Sequence, residues 1–97
     1  MSDIEIWISD SMAFSAGIDR HFDFAKSEPV YGLRQRPGKH RRRTLYAGSR
    51  ETWEAWWSIC EGNASGALDN PAEMRASGKA ADRIREALNR AEQQEKT

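Results

Sequence analysis

Six cations are crowded into one short stretch: Arg34, Arg36, Lys39, Arg41, Arg42 and Arg43, and residues 31–48 contain no Asp or Glu at all. Guanidinium groups grip carboxylates and phosphates through forked, charge-assisted hydrogen bonds, so this pattern suits the capture of a phosphate backbone or an acidic protein surface. The whole chain carries 15 basic and 15 acidic side chains, which leaves everything outside that stretch net acidic and makes the molecule an electric dipole. The plainer alternative is a solvated edge whose positive charge keeps neighbouring sheets from pairing with it.

Other residues of chemical interest are scattered. Asp19, His21 and Asp23 alternate and would share one strand face. A metal site needs three or four converging ligands, and the other histidine, His40, lies among the cations, so a hydrated outer face is the expected reading. Trp53, Trp56, Trp57 and Cys60 follow the i, i+3, i+4, i+7 spacing of a helix, which points to core packing, with Trp57 at the rim. Trp7 faces away from a row of isoleucines and would stand on an uncovered face as an interface anchor. Cys60 is the single cysteine, so no intramolecular disulfide or cysteine zinc cluster is available, and a reducing compartment is compatible with it. Glycine-rich phosphate loops, nucleophile elbows and paired-histidine helix motifs are missing from the sequence. The segments Val30-Tyr31-Gly32 and Tyr46-Ala47-Gly48 loosely resemble the tyrosine motifs of GIY-YIG nucleases. The first lacks its leading glycine and the downstream arginine and glutamate have no counterparts, so that reading is rejected. The expectation is a binding protein without catalytic activity, cofactor or metal.

The elements that must position these residues follow from periodicity. A chain of 97 residues suits a single domain spanning 1–97. Residues 3–9 alternate, with Ile4, Ile6 and Ile8 on one side, as a half-buried strand does. Residues 11–17 read as a loop or a short helical turn closed by Gly17, and 18–25 as a second strand. Pro29 and the Pro37-Gly38 pair bracket a third strand at 30–36, with a fourth at 39–47 and the hairpin turn at Pro37-Gly38. In that register Arg34, Arg36, Lys39, Arg41 and Arg43 share one face, while Tyr31, Leu33, Thr44 and Tyr46 point into the core. The period then changes to helical: one helix over about 50–61 and a second over about 71–93, opened by Asn70-Pro71 and open to a break at Ser77-Gly78. Glu86 and Arg90 form a favourable i,i+4 pair on its polar side. The fold class expected is α+β: a two-layer, mostly antiparallel sheet of three to four strands packed by two C-terminal helices. The segment MSDIEIWISD lacks a basic run followed by an apolar one, and no stretch approaches the ~20 apolar residues of a membrane span. A cytoplasmic protein is therefore expected.

This layout, together with Ser49-Arg50-Glu51-Thr52-Trp53-Glu54-Ala55-Trp56-Trp57, a small-residue linker and Arg83-Ile84-Arg85-Glu86-Ala87-Leu88-Asn89-Arg90, resembles small phage-encoded anti-CRISPR proteins. The resemblance covers about the last half of the chain and is one of architecture. It implies a non-enzymatic inhibitor that docks on a multi-subunit CRISPR surveillance complex and blocks DNA binding or nuclease recruitment. The contact residues expected from the chain itself are Arg34, Arg36, Lys39, Arg41, Arg42, Arg43 and Trp7. A second reading is direct nucleic-acid binding through the basic hairpin 34–43.

Overall fold

A computed structural model of the protein describes residues 3–23, 26–67 and 70–95. In chain order the elements are strand β1 (Ile4–Ser9), helix α1 (Asp10–Ala16), a 3-10 turn (Ile18–Arg20), β2 (Phe22–Asp23), β3 (Glu28–Pro29), β4 (Arg34–His40), β5 (Arg43–Gly48), helix α2 (Arg50–Gly62), a wide π-type turn (Asn63–Ala67) and helix α3 (Pro71–Glu95). The class is α+β. One antiparallel sheet has the order β1-β5-β4, and β2 pairs with β3 in a separate two-stranded ribbon.

The alternation in β1 sets the buried face of the larger sheet: Ile6 and Ile8 are buried, opposite Tyr46 and Thr44, whereas Glu5 and Trp7 face the other way, opposite Ala47 and Leu45. Ser9 ends the strand and starts α1, its Oγ accepting from the Met12 backbone N–H at 3.3 Å, and Gly17 closes α1 in the left-handed region at φ 80°. A loop or helical turn over 11–17 is thus a capped two-turn helix. Ser49 repeats the device for α2, accepting from the Thr52 N–H at 3.1 Å, and Asn70 does so for α3, accepting from Ala72 and Glu73. Gly78 does not interrupt α3, which runs unbroken through it, with Ser77, Ala80 and Ala81 buried beside it.

The core is one cluster drawn from both kinds of element. Ile6, Ile8 and Tyr46 of the sheet meet Trp53, Trp56 and Cys60 of α2 and Ala80, Ala81, Ile84 and Leu88 of α3, with Ala13, Ala16 and Ile18 beside them. Fully burying side chains of this size contributes roughly 1.5–3 kcal/mol each, and the two tryptophans are its largest members. The Trp53 indole N–H also donates to the Ile4 carbonyl at 2.8 Å, fixing α2 to β1.

Five expectations are corrected. The strand expected over 18–25 is a 3-10 turn followed by the two-residue β2; His21 adopts φ 52°, which no extended strand accommodates. Asp23, expected on a hydrated face, is buried, and its Oδ1 accepts from the Lys26 N–H at 3.3 Å, so it holds the turn into β3; Phe24 and Ala25 lie outside the described residues. Pro37-Gly38 is not the hairpin turn. The ladder runs Arg34 to Ala47 and Gln35 to Tyr46, then resumes at Lys39 to Thr44 and His40 to Arg43, so the turn is Arg41-Arg42 and Arg36-Pro37-Gly38 stand opposite Leu45 alone. Proline cannot donate to a ladder, and a bulge on an edge strand is where it is tolerated. The strand expected from Val30 accordingly begins only at Arg34, and Tyr31, expected in the core, is 77% exposed.

Candidate functional site

The face of the β1-β5-β4 sheet opposite the isoleucine row carries Glu5, Trp7, Arg43, Leu45, Arg34 and His40, because residues paired across a ladder share a side. Trp7 is 38% exposed and its ring meets the His40 ring edge-on, with centroids 6.3 Å apart. Leu45, half-buried on the strand between them, completes a small apolar centre. Trp7 therefore stands on the face opposite the isoleucine row, as its phase in the strand requires, and is partly exposed there.

The cations divide into two groups. Arg34 reaches Asp3 in an ion pair, and Arg36 lies 3.9 Å from the same carboxylate, so both are partly neutralised by the segment before β1. Arg41, Arg42 and Arg43 are exposed and, among the described residues, have no carboxylate within ion-pairing reach. Lys39 is placed in the ladder opposite Thr44, and its side chain lies outside the described residues. The expected single row of five cations is thus not what the bulge allows. Instead three consecutive arginines crown the hairpin tip, while two more are braced lower down.

The tip is tied to the body from below. The Asp10 backbone N–H donates to the Arg42 carbonyl at 2.8 Å, and the Thr44 hydroxyl donates to the Asp10 carboxylate at 2.9 Å. Arg41 holds φ 59°, a left-handed conformation that costs a non-glycine residue roughly 1–2 kcal/mol.

The remaining candidates take structural places. Trp53, Trp56 and Cys60 are fully buried, and Trp57 sits at the rim with the Arg85 guanidinium 4.3 Å above its ring. Burial, with the negative charges of Asp23 and Glu61 nearby, pushes the Cys60 thiol up to about 12, leaving it protonated and unreactive. Tyr46 is likewise raised to about 12 by burial and by Asp19 and Asp10. Among the described residues no three His, Cys, Asp or Glu side chains gather as metal ligands. His40 was visible in the sequence only as a histidine among cations; its ring contact with Trp7 depends on the bulge, which brings the end of β4 back into register.

Comparison of the chain with family models, curated proteins and solved structures finds no match in any of the three.

Proposed function

We propose that this chain is a non-enzymatic binding protein that docks the Arg41-Arg42-Arg43 tip and the Trp7-His40-Leu45 face onto an acidic surface of a partner protein. The observation that carries this reading is the tip: three adjacent guanidinium groups with no counter-ion among the described residues, held by the Asp10 tether beside an exposed tryptophan. Tryptophan and arginine are the residues in which interface energy concentrates, and a positive tip on an otherwise acidic molecule orients its approach. The resemblance of the C-terminal half to phage anti-CRISPR proteins supplies the partner class: a nucleic-acid-targeting complex of the host, met in the cytoplasm and blocked by occupation of its surface. Among the described residues no helix is long and apolar enough to cross a membrane.

One observation favours a second reading. Aromatic rings flanked by arginines also suit bases stacked beside a phosphate backbone, so direct binding of single-stranded nucleic acid is the alternative. Capture of host partners from lysate, with and without nuclease treatment, tests the two. Under the leading reading a discrete protein complex is retained after nuclease treatment and the affinity falls only gently with salt. Loss of all capture after nuclease, with affinity falling steeply against the logarithm of salt concentration, would transfer the function to nucleic acid.

A further inference from the structure

The free edge of β1 faces a groove that shares Trp7 with the proposed docking face and otherwise lies outside it. The groove, of about 530 Å³, runs along five consecutive residues from Asp3 to Trp7 on one side and along Arg83, Ala87, Arg90, Ala91 and Gln94 on the other. Those helix positions recur at intervals of three and four, so they form one stripe of α3. Trp7 sits at the Arg83 end, where the Arg83 guanidinium donates to the Trp7 carbonyl at 3.2 Å. Strand edge and helix stripe thus flank a single channel.

The direction of the backbone groups along this edge follows from the ladder. Asp10 donates to the Arg42 carbonyl, one step beyond the Ser9–Arg43 pair. In an antiparallel ladder the residues that exchange hydrogen bonds recur at every second position. Ile8, Ile6 and Ile4 therefore turn their N–H and C=O toward β5, and Trp7 and Glu5 turn theirs outward, as the Arg83 bond to the Trp7 carbonyl independently requires. Among the described residues, the Glu5 N–H, the Glu5 carbonyl and the Trp7 N–H have no partner.

Edges of this kind are normally blocked. The opposite edge, β4, carries Pro37, a bulge and several cations, each of which hinders pairing with another strand. β1 carries none of these; its outward face offers regular spacing, and the adjoining stripe of α3 is built on the small side chains Ala87 and Ala91.

We propose that the β1 edge is a strand-addition site, in which an extended polypeptide segment pairs with the outward Glu5 N–H and C=O and the Trp7 N–H and lies in the groove against α3. The occupant is defined by chemistry. Only an extended peptide backbone presents donors and acceptors at the two-residue repeat, about 6.8 Å, that this edge displays. Its helix-facing side chains meet Ala87 and Ala91 between two guanidinium groups. Arg83 has no acidic partner among the described residues, and the Arg90 pair with Glu86 is loose, at 3.9 Å, and largely exposed. An acidic side chain is therefore favoured on that side, and a basic one beside Glu5 on the other. This surface is separate from the arginine tip.

The experiment pans a phage-displayed library of random linear peptides against the full chain, then measures amide hydrogen exchange with synthetic copies of the enriched peptides bound. Enriched peptides are expected to alternate acidic residues with others and to slow exchange at Glu5 and Trp7 by about tenfold or more. Ala91→Trp, which fills the groove, is expected to abolish their binding at unchanged melting temperature, whereas serine at Arg41, Arg42 and Arg43 leaves it intact. Should Ala91→Trp fail to fold, Glu5→Pro carries the same test, since it removes an outward donor and no ladder bond. Failure to enrich any peptide overturns the proposal, as does enrichment of peptides that leave Glu5 and Trp7 exchange unchanged or that bind the folded groove variants normally.

Discussion

The rings of Trp7 and His40 meet edge-on across an intervening strand, 6.3 Å apart at their centroids and inclined at 67°. Neither strand pairs with the other: β5 lies between them, and the contact passes over Leu45. Two rings on separate strands, both open to solvent, give the sheet a rigid aromatic centre. Trp7→Ala is accordingly expected to weaken partner binding by about 2 kcal/mol or more, in the range of interface anchors, while thermal stability changes little because the ring lies outside the core. Binding measured by titration calorimetry alongside a melting curve checks both halves. Unchanged affinity would remove this face from the interface.

At the hairpin tip, charge and backbone strain make opposite demands. Replacing Arg41, Arg42 and Arg43 together by Ser is expected to abolish partner binding without unfolding the chain. Arg41→Gly separates the two effects: it relieves a left-handed arginine and should raise stability by up to about 1 kcal/mol, while still lowering affinity through the lost cation. A variant that gained stability and kept full affinity would show Arg41 to be dispensable.

Gly32 is a structural position of a different kind. It holds φ 120°, and a Cβ there would come within 2.8 Å of the Thr52 Oγ1 and 2.9 Å of its Cγ2. Gly32→Ala therefore strains the backbone and forces the Thr52 side chain to shift, at an expected cost of about 1–3 kcal/mol. Chemical denaturation of the two proteins measures it directly. Gly66, also at positive φ but with nothing within 4 Å, should lose less on the same substitution.

Alkaline pH should destabilise the protein through Cys60 and Tyr46. Cys60 and Tyr46 are neutral when protonated, and the fold raises both to about 12 from ordinary values of 9.0 and 10.0. In the window between, the unfolded chain has released protons that the folded chain retains, so stability falls as pH rises. It should be constant up to about pH 8.5 and decline from about pH 9 upward. Cys60→Ala should remove the first part of that decline, and in the native protein a thiol reagent at pH 8 should leave Cys60 unmodified. A pH series of melting curves and a timed thiol assay provide the tests.

The two C-terminal helices and the first strand were legible in the sequence because each repeats one instruction over many residues. Ile4, Ile6 and Ile8 fix a two-residue period, and Trp53, Trp56 and Cys60 fix a helical one. The middle of the chain was not legible in the same way. Ile18–Asp23 alternates as a strand would, yet His21 at positive φ and the Asp23 contact with Lys26 turn it into a tight corner, an outcome set by tertiary packing. Pro37-Gly38 carries the sequence signal of a turn, and the chain uses it for a bulge. What decides between them is pairing with β5, where Tyr46 must stay buried opposite Gln35, and local composition has no access to that. The candidate site inherited the error: the cations were found, but their division into a braced pair and a free tip depends on where the turn falls.

Among the described residues β1 has a single ladder partner, and that partner, β5, is separated from it by α1, both strands of the small ribbon and β4. During synthesis the sticky run Ile4-Glu5-Ile6-Trp7-Ile8 must wait for Gly48 to leave the ribosome before it can be satisfied, and distant pairings of this kind close slowly. The newborn chain is consequently most vulnerable to self-association before its second half exists. A host expressing it in quantity would feel that interval as inclusion bodies, and slower translation at low temperature would shift the balance toward correctly folded protein.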